Sequence, residues 1–168
     1  QIVDLPGTYS LTANSAEEQI ARDYLVREQP AVVVAVLNAA NLERTLYLVA
    51  ELLELPPPVV VALNMVDVAE QQGMHVETEL LEAALGVPVV PMVATRGQGL
   101  AELLDAIDRL VEGRIAYQPQ RPALQAETDS LVAQIEQALG DTDTGPYPRR
   151  WLAIKLLEGD RAVTEQVR

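Results

Sequence analysis

A chain of 168 residues that is 49% apolar and 22% charged can fold one sizeable domain with a small appendage, and its composition is that of a soluble globular protein, far from disorder. Twenty-five acids against 12 bases leave a net charge of −13, which repels phosphate backbones and argues against general nucleic-acid binding. With no cysteine, disulfides and thiolate-held metals are excluded, in keeping with a reducing compartment; the one histidine, His75, cannot build a zinc site alone and reads as a surface side chain.

The first run, "QIVD", is apolar and short, and predicts a strand over 1–4 that enters "LPGTYSL" directly. A start at Gln1 reads as a fragment of a longer chain, and these first residues lack the basic, apolar and small-residue regions of a signal peptide. "SAEEQIARDYLVREQ" predicts a helix, with Ser15 as N-cap and Glu18 at the capping-box position. "AVVVAVL" and "VVVAL" predict strands over 31–37 and 59–63; both are far too short to span a bilayer, so these residues are expected to be soluble. Between them, "NLERTLYLVAELLEL" places Leu42, Leu46, Val49, Leu52 and Leu53 on one helical stripe behind Asn41. "VETELLEAALG" and "GLAELLDAIDRLVEG" predict helices stopping at Gly86 and Gly113, on either side of a Pro-bearing, less regular strand over 87–93.

Strands that are apolar on both faces and alternate with helices predict right-handed crossovers and a doubly wound, mostly parallel sheet. Ligands of such sheets bind beyond the carboxyl ends of the strands. Composition changes at "YQPQRPAL", which predicts a boundary between an α/β part, 1–117, and a small all-α part, 118–168, with helices over 123–139 and 148–157. The second part reads as cut short at Arg168. Trp151, Leu152, Ile154, Leu156 and Leu157 are its expected core, and Arg149 and Arg150 candidates for pairing with acids of the first part.

Three polar boxes follow apolar strands: "DLPG" from Asp4, "NMVD" from Asn64 and "ATRG" from Ala94. Asp4-x-x-Gly7 alone is an ordinary turn pattern. The three boxes in this order resemble the last three sequence boxes of the Ras-like P-loop GTPases, which implies an incomplete fold of that type. The residue types suit the chemistry. Guanine presents N1–H and an exocyclic amine side by side, and a carboxylate such as Asp67 can accept from both, whereas adenine would leave it unpaired. Asn64 offers an amide to touch the base and brace the neighbouring loop, and the N–H of Ala94 a donor to guanine O6. Asp4 would reach Mg²⁺ through water and the N–H of Gly7 the γ-phosphate, making 5–13 the candidate switch loop.

"DLPGTYSL", "NLERTLYLVAELLEL", "NMVD", "ATRGQG" and "RRWLAIKLLEGD" together closely resemble the cytosolic N-terminal region of the bacterial ferrous iron transport protein B (FeoB) family, over nearly the whole chain. Met65, where Ras-like enzymes carry Lys, and Thr8, where they carry a Gln, belong to that family's pattern. The resemblance implies GTP or GDP with Mg²⁺ as ligands, Gly7 and Thr8 at the hydrolytic centre, and nucleotide contacts from Asp4, Gly7, Asn64, Met65, Asp67, Val93, Ala94 and Thr95. It also implies a helical part that favours the GDP-bound state, a location on the cytoplasmic face of the bacterial inner membrane, and a membrane-embedded iron-transport domain in the same polypeptide. A second copy of the chain and a small accessory Feo protein are further partners compatible with it. No G-x-x-x-x-G-K-[ST] run occurs, and Lys155 is the only lysine, so the phosphate grip and the first switch are expected upstream and these residues alone are expected to be inactive. A non-catalytic adaptor that binds a protein partner is the alternative reading.

Overall fold

Three runs of β-branched residues form one parallel sheet in the computed structural model, which describes residues 1–12, 15–140 and 142–166. The strands are β1 (Val33–Asn38), β2 (Val59–Asn64) and β3 (Val89–Pro91), in the order β1-β2-β3. The register sets Asn38 beside Asn64 and Leu63 beside Pro91, so the carboxyl ends of the strands lie level with one another.

The central strand is buried from Val59 to Leu63, as a strand covered on both faces must be. Val60 and Ala62 share a core with Val90, Met92, Leu103, Ala106 and Leu110, the last three from α5 (Leu100–Val111). Val59, Val61 and Leu63 point the other way and are equally buried. The crossovers run through α2 (Leu42–Leu52) and through α3 (Val66–Gln71) with α4 (Thr78–Leu85). Asn41 stands at the N-cap of α2 without a capping side-chain bond. Gly86 ends α4 in the left-handed conformation and lets the following connector pass: a Cβ there would sit 1.9 Å from the carbonyl oxygen of Gln118. The Glu82 carboxylate accepts the Val89 N–H at 3.0 Å, covering part of the sheet edge. The Tyr117 hydroxyl accepts the Val59 N–H at 3.1 Å; burial raises its pKa above the ordinary 10.0, while that bond lowers it.

These elements form a unit of Pro30–Leu53 and Pro57–Arg121, and a second unit gathers Gln1–Gln29, Glu54–Pro56 and Pro122–Arg168. Contacts thus divide the chain differently from a cut at 117, because the first 29 residues group with the helical tail. The strand expected over 1–4 does not form. Ile2 is 95% exposed and Val3 42%, and without a ladder to join, an apolar alternation of four residues has nothing to hold it extended.

In the second unit α1 (Ala16–Glu28) begins on the expected capping box, with Ser15 and Glu18 bonded reciprocally. With it stand α6 (Ala126–Leu139), α7 (Arg149–Leu157) and α8 (Arg161–Gln166). Trp151 and Leu152 are buried as expected, but Leu157 is exposed, because it falls on the solvent side of the last turn of α7. Trp151 stacks on Tyr147, with ring centroids 5.1 Å apart. The Arg22 guanidinium lies 5.8 Å from the Trp151 ring and 3.1 Å from the Asp160 carboxylate, both partners of that ion pair being buried. Asp160 also accepts the Val163 N–H, capping α8, an element that the sequence pattern did not suggest. The buried Lys155 ammonium donates to Thr12 at 2.9 Å and to Glu158 at 2.8 Å. Arg150 pairs with Asp129 at 3.0 Å and with Glu54 at 3.7 Å, and Arg149 donates to the Gly140 carbonyl. Among the described residues no helix is long and apolar enough to cross a membrane.

Candidate functional site

The polar residues after β2 and β3 meet at the carboxyl edge of the sheet. Asn64 ends β2, and its side-chain carbonyl accepts the N–H of Ala94 at 3.0 Å, tying the two strand-end loops together. This is the bracing expected of Asn64. It also means that the Ala94 N–H, expected to face guanine O6, is already engaged, so it can serve a base only as a shared donor. Met65 follows at φ 62, ψ 33, a left-handed conformation that is uncommon without glycine and turns the chain sharply from strand into α3. Its carbonyl accepts the N–H groups of Val68 and Ala69, both at 3.1 Å, while Met65 itself is exposed.

That turn places Asp67 in the first turn of α3, where an acid is favoured. One carboxylate oxygen accepts the Val68 N–H at 3.0 Å; the other lies 3.5 Å from Arg96 Nη2. Opposite, the loop 93–98 closes on paired bonds between Val93 and Gln98, at 3.1 and 3.2 Å. Within it Ala94–Arg96 form one 3₁₀ turn, with Val93 buried and Ala94 and Thr95 exposed. The following Gly99 has φ 81, and a Cβ there would lie 2.3 Å from the Pro91 carbonyl oxygen, so only glycine lets the loop return so close to β3.

Asp4, Gly7 and Thr8 belong to the other unit. Asp4 and Gly7 are exposed, and a Cβ on Gly7 would meet nothing within 4 Å. The Thr8 hydroxyl donates to the Ser10 carbonyl and accepts the Ser10 N–H, closing a short turn. Leu11 is buried; residue 13 of the expected switch loop lies outside the described residues. Among the described residues no group of three or more His, Cys, Asp or Glu could hold a metal ion. A lone exposed carboxylate such as Asp4 suits Mg²⁺, which keeps most of its waters and takes one or two carboxylates besides phosphate oxygens.

Residues 1–107 match the family model described as ferrous iron transport protein B, and residues 125–168 match that of the FeoB cytosolic helical domain. The chain belongs to the ferrous iron transport protein B family. It is 43% identical over 164 residues to the Fe(2+) transporter FeoB of Escherichia coli K12, a match covering 95% of this chain and 21% of that protein. It is 42% identical over 171 residues to an Fe(2+) transport protein A/FeoB fusion protein of Porphyromonas gingivalis, covering 99% and 20%. The chain thus spans about a fifth of the curated FeoB proteins it matches. Among solved structures, the cytosolic domain of T. maritima FeoB in a GDP form aligns with a TM-score of 0.88 at 33% identity, over 97% of this chain and 64% of that one. The S. thermophilus FeoB domain bound to GDP, AlF4⁻ and K⁺ aligns at 0.85 and 35%, over 98% and 63%. The α/β architecture with a helical part is therefore the FeoB cytosolic fold, and Met65 and Thr8 sit in a FeoB chain.

Sequence reasoning quoted Arg96 within "ATRG" and gave it no role. The structure sets it against Asp67, and the available signal was its place two residues after Ala94, on the loop that also meets Asn64.

Proposed function

We propose that these residues are the guanine-nucleotide-binding, GTPase portion of a ferrous iron uptake protein, working on the cytoplasmic face of the bacterial inner membrane. In this reading 1–117 act as the GTPase part and 118–168 as a helical part that favours the GDP-bound state. The membrane-embedded iron-permeating domain of the same polypeptide is the partner, with a small accessory Feo protein and a second copy of the chain as further candidates. The observation that supports the reading best is the convergence of Asn64, Asp67 and the 93–98 loop at the carboxyl ends of β2 and β3.

Asp67 accepts from N1–H and the amine of guanine, Asn64 holds the Ala94 loop at the base edge, and Val93, Ala94 and Thr95 line it. Met65 covers the base with an apolar stem. Asp4 would hold Mg²⁺ through water and the Gly7 N–H would meet the γ-phosphate; the metal would neutralise phosphate charge. For position 8 to orient water, the turn that Thr8 closes on Ser10 has to open. The phosphate grip comes from outside these 168 residues, which contain no G-x-x-x-x-G-K-[ST] run.

The experiment is a base swap in the full-length protein. Asp67→Asn turns the acceptor pair into one donor and one acceptor, matching xanthine in place of guanine. Two charge-assisted bonds are at stake, so the GDP-over-XDP preference should fall by about 10²- to 10⁴-fold and favour XDP. Calorimetry showing unchanged preference would remove the base assignment, and an equal response of the unaltered protein to ADP and GDP would favour the adaptor reading.

A further inference from the structure

We propose that Arg96 is a built-in stand-in for the guanine edge, competing with the nucleotide for Asp67 and thereby speeding its release. The inference rests on the reading of Asp67 as the base acceptor and adds a rate-setting residue to it.

The chemistry lies in the likeness of the two donors. The N1–C2–N2 edge of guanine is itself a guanidine: two N–H groups side by side on one delocalised carbon. The arginine side chain carries the same fork with a full positive charge, and both match a carboxylate. Asp67 Oδ1 already accepts from the Val68 N–H, which makes Oδ2 the less committed oxygen. Arg96 Nη2 faces that oxygen at 3.5 Å. Guanine cannot take both lone-pair directions at Asp67 while the guanidinium holds this place, so binding displaces Arg96 and departure is assisted by its return.

Placement makes the exchange easy. Arg96 ends the turn whose first residue, Ala94, is held by Asn64, so the loop that meets the base also carries its substitute. The Arg96 side chain is 59% exposed and can swing into solvent, whereas that of Asp67 is 23% exposed and gains from keeping a partner. An exposed ion pair is weak, so the competitor tunes release without blocking binding.

The test is stopped-flow release of a fluorescent GDP from the full-length protein. Arg96→Ala should slow dissociation about two- to fivefold at low salt, the range for an exposed pair, with association unchanged or faster because nothing is left to displace. The difference should shrink as salt rises, because an exposed pair is screened, which a purely structural contribution would not show. In the Asp67→Asn background with XDP, Arg96→Ala should have no effect, since the charge it pairs with is gone. Unchanged or faster GDP release from Arg96→Ala would overturn the proposal, and so would a slowing that persists in the Asp67→Asn background. If Asp67→Asn alone leaves GDP preferred, the base reading fails; if it swaps preference while Arg96→Ala changes nothing, only the competitor fails.

Discussion

Replacing Gly99 with alanine should damage the sheet-bearing unit far more than the same change at Gly97, although the two glycines stand two residues apart. Both have left-handed backbones, φ 81 and φ 68, so each alanine incurs the same cost of about 1–2 kcal/mol. At Gly97 the new methyl meets nothing within 4 Å. At Gly99 it would sit 2.3 Å from the Pro91 carbonyl oxygen, 2.9 Å from Met92 Cγ and 3.1 Å from Met92 Cα. Relief there must come from backbone moving by ~1 Å, and overpacking of this kind adds about 1–3 kcal/mol. The strain lands on Met92, whose N–H donates to Leu63 and whose carbonyl accepts from Val66, so it also loosens the seat of Asn64. Hydrogen exchange at Val61 and Met92, both ladder donors, reads the opening free energy of this unit. Protection should fall about 5- to 150-fold further in Gly99→Ala than in Gly97→Ala, the conversion of that extra term. Losses within threefold of each other would refute the steric argument and leave backbone conformation as the whole effect.

Arg22→Ala removes the cation of a buried ion pair and leaves the Asp160 carboxylate, which still accepts the Val163 N–H, without that charge; a loss of about 3–5 kcal/mol is expected from urea unfolding followed by far-UV circular dichroism, and a loss under about 1 kcal/mol would mean that the ion pair contributes little. Burial raises the pKa of Tyr117 and Tyr147 above 10.0, and at Tyr147 the hydrogen bond to Asp23 raises it further. A raised folded-state value means stability that is complete below pH 10 and drains away as pH climbs through that value. Alkaline titration at 295 nm should therefore show Tyr117 and Tyr147 ionising later than free tyrosine, with unfolding as they do so; loss of the late phase in neither Tyr117→Phe nor Tyr147→Phe would contradict the packing.

Much of the α/β part was legible because its signals are local. A run such as "VVVAL", apolar on both faces, has few homes besides a covered strand, and Gly86 and Gly113 stop helices for reasons written in their own backbones. The capping box at Ser15 is equally self-contained. The run "QIVD" misled because a strand is made by its neighbours, and four residues cannot supply them. α8 was missed because its start depends on Asp160, whose capping role is fixed by a distant arginine. The positions of Asn64 and Asp67 just after the central strand could be read from residue order. Their engagement with Ala94 and Arg96 could not, since it depends on how two loops from different strands meet in space.

Trp151 is the only indole in the chain, and it sits with Tyr147 in the unit that holds α1 and the helical tail, not in the unit that bears the sheet. Its emission therefore reports on its own unit, which also carries Asp4, Gly7 and Thr8. Any change in its intensity or colour when a nucleotide is added would give that unit's response an optical readout without added dye.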